Sequence, residues 1–337
     1  MKIAFFGTPD FAIPSLEALV NGNANEVVCV VCQPDKPSGR GQEVIPCAVK
    51  KFATEHKIPV LQPSRISNEI HLLDRFAPDV IVTCAFGQIL KQNVLDYCKN
   101  GVINVHASLL PKYRGSSPIQ WSIINGERET GITIMQTDIG MDTGDVLLQE
   151  HVKIGDGETA GELFVRLSIL GADALVKVLD QINNGIVKRI PQNSLEATVF
   201  PMLAKEDGRI HWTQHAVVIA NLIHGLNPWP VAYFLSGECT VRVHRAKAFT
   251  IEEMEQEYPF ITVKTDTDPE AFKAILVPKN NNTPLGTVLH ASSAHGMFVL
   301  CQSSVLRLDE IQVPGGRKTP TREFLNGRTF AIGTVLQ

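Results

Sequence analysis

Two polar side chains, Asn104 and His106, end a run of apolar residues that predicts a buried strand over Gly101–His106. Alternation along a strand places both side chains on the same face. An amide and an imidazole in such a place cost free energy unless they are hydrogen-bonded. A turn follows them directly and is made of Ser108, Leu109, Leu110 and Pro111. The pair and the turn together indicate a functional site rather than an ordinary core histidine.

A carboxylate is predicted to join this pair. Asp142 lies in a short segment bounded by Gly140 and Gly144, and glycines on both sides favour a sharp loop that can bring a side chain into a cleft. Alone, an aspartate in this position would be a turn-forming residue. Beside a histidine, it is suited to orient the imidazole and to favour its charged form.

Asn104, His106 and Asp142 together suit acyl transfer to an amine. When an amine attacks a carbonyl carbon, the oxygen develops negative charge, which the Asn104 amide and a protonated or donating His106 can stabilise. Asp142 can tune the imidazole and help a proton leave the amine. No serine or cysteine lies in an obvious nucleophile turn, so the sequence favours direct transfer over a covalent enzyme intermediate.

The elements that must position these residues alternate between strands and helices. The sequence predicts strands over Lys2–Gly7, Glu26–Gln33, Asp79–Ala85, Gly101–His106, Thr130–Thr137 and Asp145–His151. Helical patterns occur at Phe11–Asn21, Pro46–Lys57, Gln88–Cys98, Ser117–Asn125 and Ala160–Asn183. This α/β alternation predicts a doubly wound, Rossmann-like parallel sheet in residues 1–190, with ligands beyond the carboxyl ends of its strands.

The pattern changes after residue 190. Residues 191–208 are predicted to be a linker and residues 209–337 a second domain. After a helix at Ala216–Leu226, short strand-like runs occur at Val231–Leu235, Thr240–Ala248, Ala274–Val277, Gly286–His290, Gly296–Cys301 and Ser304–Val313. Several short strands separated by turn residues predict a small β-barrel. Ile251–Asn282 is acidic and then rich in asparagine, which suggests a variable surface insertion.

Composition narrows the class of protein further. The 337 residues contain no apolar run of the ~18 residues that a membrane span needs. The apolar stretch at the N-terminus is too short, and too soon followed by polar residues, to resemble a signal peptide, so we expect a cytoplasmic protein. Seven cysteines fit a reducing compartment better than a disulfide framework. Cys29 and Cys32 would face opposite sides of a strand, and the His211–His215 pair lacks a third ligand, so we expect no metal.

Several segments resemble the methionyl-tRNA formyltransferase family. They occur in order through almost the whole chain: Gly7–Ala12, Gln33–Gly41, Ile103–Gly115, Gly131–Gly144, Asn227–Pro230, Val305–Leu308 and Glu323–Gly327. The resemblance implies 10-formyltetrahydrofolate as the formyl donor and the amino group of initiator methionyl-tRNA as the acceptor. It implies catalytic roles for Asn104, His106 and Asp142 and a folate-binding turn at Ser108, Leu109, Leu110 and Pro111. It also implies an oligonucleotide-binding-like barrel and a monomer.

The same resemblance suggests where tRNA binds. The surface loop Pro34–Val44 carries Lys36 and Arg40, and in the family this loop enters the acceptor stem of the tRNA. Gln42, Glu43 and Val44 follow at positions where further basic residues are common in the family. This departure bears on how strongly the loop binds tRNA, and not on where it binds. Candidate phosphate contacts in the second domain are Arg242, Arg245, Lys247, Arg317 and Lys318. A net charge of −4 does not by itself indicate a nucleic-acid binder.

Three other functions compete with this interpretation. A related formyltransferase acting on an amino-sugar nucleotide or glycinamide ribonucleotide, or a formyl-folate hydrolase, would share the catalytic residues but not the Gln33–Gly41 loop with the Asn227–Pro230 segment. A catalytically silent RNA-binding protein is disfavoured by the intact catalytic residues. A nicotinamide-dependent dehydrogenase is disfavoured because G-x-G-x-x-G is missing after the first strand.

Overall fold

The chain forms two compact units. The computed structural model describes residues 1–38, 43–259, 261, 283–327 and 330–337. The first unit contains Met1–Ile119, Glu129–Lys153 and Glu162–Pro201, and the second contains Gln120–Arg128, Ile154–Gly161 and Met202–Gln337. Two short segments from the first half of the chain therefore belong to the second unit. The predicted boundaries, 1–190, 191–208 and 209–337, are contiguous and do not contain this exchange of segments.

The first unit is built on a mixed sheet. Its strands are β1 (Lys2–Gly7), β2 (Glu26–Val31), β3 (Pro37–Ser38), β4 (Glu43–Val44), β5 (Val60–Leu61), β6 (Val80–Cys84), β7 (Val102–His106), β8 (Arg114–Gly115), β9 (Glu129–Gln136), β10 (Val146–Lys153) and β11 (Val199–Phe200). Seven of them form one sheet in the order β10-β9-β7-β6-β1-β2-β5, and β3-β4 and β8-β11 form two-stranded sheets.

The central strands of this sheet are parallel, as the sequence predicts, but its edge is not. β6 pairs in parallel with β1 and β7, and every residue of β6 is buried, which explains its uninterrupted apolar sequence. β9 runs antiparallel to β7 and to β10. Residues 137–145 join β9 to β10 without a helix, and a parallel connection would need a crossover of about a dozen residues or more.

The structure describes nine α-helices in the two units. They are α1 (Ile13–Asn21), α2 (Ala48–Glu55), α3 (Ile66–Glu69), α4 (Gln92–Leu95), α5 (Pro118–Ile124), α6 (Ala160–Asn183), α7 (Ala216–Gly225), α8 (Ile251–Glu257) and α9 (Thr321–Phe324). No described helix combines the length and apolar character that a membrane span requires.

One predicted helix, Gln88–Cys98, is much shorter in the structure, where only α4 is helical within it. The Gln88 side chain accepts a hydrogen bond from the Ile66 amide at 2.9 Å and donates one to the Pro63 carbonyl at 3.1 Å. Lys91 is extended at the start of α4. These tertiary hydrogen bonds hold the beginning of the predicted helix in a non-helical conformation.

The second unit contains an antiparallel sheet that the end of the chain closes. Its strands are β12 (Ala232–Ser236), β13 (Cys239–Phe249), β14 (Val288–Ser292), β15 (Gly296–Cys301), β16 (Ser304–Gln312) and β17 (Thr319–Pro320). The order is β12-β13-β16-β15-β14, with β17 beside β16. The Leu336 amide donates to Gly286 next to β14, and the Gln337 amide donates to Leu235 in β12, each at 2.9 Å. The C-terminal segment thus joins the two edge strands, as a barrel requires.

The proposed surface insertion is partly built into this unit. α8 begins with a capping box between Thr250 and Glu253. Met254, Tyr258 and Ile261 are buried in a cluster with side chains of β13 to β16. The expectation of a surface segment is therefore wrong for its first part, because these three apolar residues extend the core. Most of the remainder, with the predicted strand Ala274–Val277, lies outside the described residues.

Candidate active site

The Asn104 amide is oriented by a neighbouring strand. Asn104 lies in β7 opposite Thr83 of β6 in the parallel register. The Thr83 hydroxyl lies 2.8 Å from Asn104 Oδ1 and 3.4 Å from the Ile103 carbonyl, so it donates to the closer oxygen. Because Oδ1 is occupied in this way, the Nδ2 group is the part of the amide that can donate to a ligand.

The His106 ring is held by a backbone carbonyl. The ring is 7% exposed, and its Nε2 lies 3.0 Å from the Tyr113 oxygen. A carbonyl can only accept, so Nε2 carries the hydrogen. Nδ1 then faces Asp142 Oδ2 at 3.8 Å, which is too long for a direct hydrogen bond but within the distance of an ion pair. Nδ1 is therefore the ring atom available for proton exchange.

Asp142 is held in a left-handed backbone conformation, with φ of +53°. Its Oδ2 accepts a hydrogen bond from the Gly115 amide at 2.8 Å, and its side chain is 21% exposed. Aspartate tolerates this conformation better than most residues. The sequence prediction of a sharp loop that delivers a carboxylate to the histidine agrees with this geometry.

Gln192 fixes the same loop and was missed by sequence reasoning. Its Nε2 donates to the Asp142 and Gly144 carbonyls, both at 2.8 Å. It lies in the stretch predicted to be a linker, where weak periodicity gives no sign of a role. Thr83 was missed as well, although a polar residue near the end of the buried strand Asp79–Ala85 was a usable signal.

The predicted folate turn is itself tightly hydrogen-bonded. Ser108 is fully buried, and its hydroxyl donates to the Lys112 carbonyl at 2.7 Å. Thr133 donates to the Ser108 carbonyl at 2.7 Å and accepts from the Leu110 amide at 3.1 Å. Leu110 is buried, whereas Leu109 and Pro111 are half-buried. Ser108 and Leu110 therefore stabilise the turn, and Leu109 and Pro111 are its side chains open to a ligand.

Neither Ser108, which follows β7, nor Cys84 of the neighbouring strand β6 is available as a nucleophile. The Ser108 hydroxyl is buried and hydrogen-bonded. Cys84, at the end of β6, is fully buried, and burial raises the pKa of its thiol to about 12. A protonated, inaccessible thiol cannot attack a formyl carbon, which is consistent with direct transfer.

The predicted tRNA loop is described only in part. Lys36 is exposed, whereas Arg40 lies outside the described residues. Just before Lys36, the Asp35 carboxylate pairs with the Lys50 ammonium and accepts from Gln62 Nε2 at 2.8 Å. Hydrogen bonds from Lys50 and Gln62 hold the pKa of Asp35 below its usual value. This network anchors the entry to the loop.

The five candidate cations of the second unit are not equivalent. Lys247 pairs with Glu257 at 3.2 Å, Lys318 pairs with Glu310 at 3.0 Å, and Arg245 donates to the Gly157 carbonyl at 3.3 Å. Within the described part of the chain, Arg242 and Arg317 have no carboxylate partner. The structure therefore separates two free cations from three engaged ones.

Two sequence families match most of the chain, and full-length relatives match all of it. The formyl transferase family matches residues 1–179, and the formyl transferase C-terminal domain matches residues 202–329. A methionyl-tRNA formyltransferase of Alkaliphilus oremlandii is 42% identical over 339 residues, which cover 100% of this chain and 99% of that protein. A protein of the same name from Acetivibrio thermocellus is also 42% identical, with 100% and 99% covered.

Solved structures share the fold at low identity. The sugar 3N-formyl transferase WlaRD, solved with dTDP and 5-N-formyl-THF, has a TM-score of 0.63 and 19% identity, covering 94% of this chain and 99% of that one. An N-formyltransferase from Helicobacter canadensis has a TM-score of 0.62 and 18% identity, with 91% and 98% covered. At these identities the similarity shows the fold alone.

Proposed function

Because the chain belongs to the methionyl-tRNA formyltransferase family, we propose a mechanism for its formylation of initiator methionyl-tRNA in translation initiation. The amino group of the acceptor attacks the formyl carbon of the donor directly, without a covalent enzyme intermediate. A folate donor is consistent with the 5-N-formyl-THF present in the WlaRD structure, and we assign 10-formyltetrahydrofolate to this role.

The observation that carries this mechanism is the arrangement of three polar groups. Asn104 and His106 project from the same face of β7, and His106 Nδ1 lies 3.8 Å from Asp142. As the amine attacks, Asn104 Nδ2 and a protonated His106 Nδ1 donate to the developing oxyanion. The Thr83 hydrogen bond pre-orients the Asn104 donor, so little reorganisation is needed during the reaction.

Proton movement in this mechanism balances. The attacking amine loses one proton as the C–N bond forms, and Asp142 accepts it directly or through water. The folate nitrogen gains one proton as its bond to the formyl carbon breaks, and His106 Nδ1 is placed to supply it. The ring is then reprotonated by the Asp142 carboxyl, so both residues return to their starting state.

The acceptor assignment depends on the full-length relatives and not on the catalytic residues. Formyltransferases that act on sugars share the fold, whereas the relatives at 42% identity over the whole chain are methionyl-tRNA formyltransferases. We assign tRNA contacts to the loop with Lys36 and Arg40 and to the free cations Arg242 and Arg317. We also propose that the protein acts in the cytoplasm as a monomer.

An acceptor assay tests this assignment. Purified protein is given 10-formyltetrahydrofolate with a labelled formyl group and either methionyl initiator tRNA or methionyl elongator tRNA. We expect transfer to the initiator and little to the elongator. Equal transfer to both, or to neither, would contradict the acceptor assignment. Transfer to a small amino-sugar nucleotide instead would support the competing formyltransferase interpretation.

A further inference from the structure

We propose that Gln192 is a positioning residue that sets the Asp142 carboxylate for catalysis, an inference that rests on the role proposed above for Asp142. Gln192 does not touch the reacting groups. It holds the backbone of the catalytic loop and the neighbouring strand β8 at fixed positions, so that the distance from Asp142 to His106 is determined before substrates bind.

Both hydrogens of the Gln192 amide are used on the catalytic loop. Nε2 donates to the carbonyls of Asp142 and Gly144, each at 2.8 Å. These carbonyls lie two residues apart, on either side of Thr143. Asp142 has a positive φ, a conformation that costs free energy for a residue other than glycine. Two hydrogen bonds to the loop backbone offset that cost and restrict its movement.

The oxygen of the same amide holds a buried cation. Gln192 Oε1 accepts from Arg114 Nε at 3.1 Å and from Nη2 at 2.7 Å. Arg114 is 6% exposed, so its guanidinium needs acceptors. The oxygen must therefore face Arg114 and the nitrogen must face the loop, which gives the Gln192 side chain a single satisfactory orientation.

Arg114 also connects Gln192 to the catalytic carboxylate by a second route. The residue after Arg114 is Gly115, whose amide donates to Asp142 Oδ2 at 2.8 Å. The Arg114 amide in turn donates to the Thr198 carbonyl at 2.9 Å. Gln192 thus holds both the loop that carries Asp142 and the strand that binds its carboxylate, and a shift of either changes the geometry at His106.

Gln192→Glu separates the two tasks of this side chain. A carboxylate still accepts from Arg114, so the buried guanidinium keeps a partner and the protein should fold. It has no donor for the carbonyls of Asp142 and Gly144 and repels them. Since a misplacement of about 1 Å can lower turnover about a hundredfold, we expect kcat to fall by about 10- to 100-fold. KM for tRNA should change by less than about threefold, because no tRNA contact is altered.

The deciding measurement is a double-mutant cycle with Asp142→Asn. If Gln192 acts through Asp142, Gln192→Glu should lower kcat by less than about threefold in the Asp142→Asn background. Gln181→Glu, the same substitution on α6, is the matched control and should retain wild-type turnover. Urea unfolding midpoints of all variants report whether each one is folded.

Each outcome of the cycle decides the proposal. Equal losses of kcat in both backgrounds, or no loss from Gln192→Glu in the wild-type background, would overturn it. A parallel loss of kcat and of the unfolding midpoint, also seen in Gln192→Leu, would indicate a merely structural role and would overturn it too. Wild-type turnover in Asp142→Asn alone would remove its premise, while formylation of initiator tRNA by the unmodified protein would still stand.

Discussion

Two sets of candidate residues are organised differently: the catalytic edge of the first unit and the cationic surface of the second. The first name stands for Asn104, His106 and Asp142, and the second for the five candidate tRNA-binding cations, Arg242, Arg245, Lys247, Arg317 and Lys318. At the catalytic edge, each functional side chain has a partner that fixes its direction: Thr83 for Asn104, the Tyr113 carbonyl for His106 and Gly115 for Asp142. Among the five candidate cations of the second unit, the two without a carboxylate partner in the described part of the chain, Arg242 and Arg317, are exposed side chains.

This difference fits the roles proposed above for the two regions. Stabilising a developing oxyanion requires donors placed to within a fraction of an ångström, because the gain depends on orientation. Attraction of a tRNA backbone depends on charge and tolerates small displacements. Changes at the catalytic edge should therefore act strongly on kcat, whereas changes on the cationic surface should act weakly on KM.

The largest effects are expected from removing a catalytic donor. Asn104→Ala removes the Nδ2 group, and we expect kcat to fall by about 10²- to 10³-fold. His106→Ala should reduce kcat by a similar factor or more, since it removes both a donor and the proton carrier. Single-turnover formylation measures the chemical step, and filter binding measures the Kd for tRNA, which should not change.

The control for this pair is His151→Ala, which removes an exposed histidine paired with Glu129 on the surface. It should have wild-type turnover. If either catalytic variant retained wild-type kcat, that residue would have no place in the mechanism.

A smaller effect is expected when the orienting group is removed instead of the donor. Thr83→Val is nearly isosteric and leaves Asn104 free to rotate its amide. We expect a fall in kcat of about tenfold, because one hydrogen bond of about 1 kcal/mol or more orients the amide. Thr83→Ser keeps the hydroxyl and should recover most of the turnover. Equal kcat in Thr83→Val and the wild type would show that Asn104 needs no such support.

Still smaller effects should come from the cationic surface. Arg242→Ala and Arg317→Ala should each raise KM for tRNA a few-fold and reduce the slope of log K against log salt by about 1. Lys247→Ala should change KM less, since its ammonium is already paired with Glu257 and lies 4.5 Å from the centre of the Phe249 ring. A larger effect from Lys247→Ala than from the two arginines would contradict the division into free and engaged cations.

The smallest predicted effect concerns the stability of the second unit against pH. Burial lowers the pKa of His244 below its usual value. The folded state therefore prefers the neutral ring. The contribution of His244 to the free energy of unfolding is fully present above about pH 6.5 and is lost as the pH falls below that value. His244→Gln should reduce this loss, because the variant has no titrating ring.

Tryptophan fluorescence during urea unfolding measures this directly, because all three tryptophans, Trp121, Trp212 and Trp229, belong to the second unit. A variant with the same pH dependence as the wild type would show that His244 does not contribute.

Patterns local in sequence predicted the parallel central strands, which the structure confirms, and the candidate catalytic residues, whose roles stay predictions. Strand alternation placed Asn104 and His106 on one face, and flanking glycines marked the Asp142 loop. The capping box at Thr250 and the spacing of Met254 and Tyr258 were also local signals that could have shown the packed helix α8. They were overlooked because the acidic composition of the segment suggested a solvated surface.

Other features depend on contacts between residues far apart in the chain. Gln192 reaches Asp142 across 50 positions, and no periodicity reports such a contact. The pairing of Lys247 with Glu257 depends on where α8 packs. The antiparallel pairing of β9 with β10 follows from the short connection between them, residues 137–145. The length of this connection is visible in the sequence, but its consequence for the direction of the second strand was not considered.

The claim of direct transfer can be tested most directly with the donor alone. Protein is incubated with 10-formyltetrahydrofolate carrying a labelled formyl group, without tRNA, and is then denatured and freed of folate. We expect no label on the protein, and we expect initial rates with both substrates to give intersecting double-reciprocal lines. A labelled protein that passes its formyl group to methionyl-tRNA at the rate of turnover, with parallel lines, would contradict the mechanism.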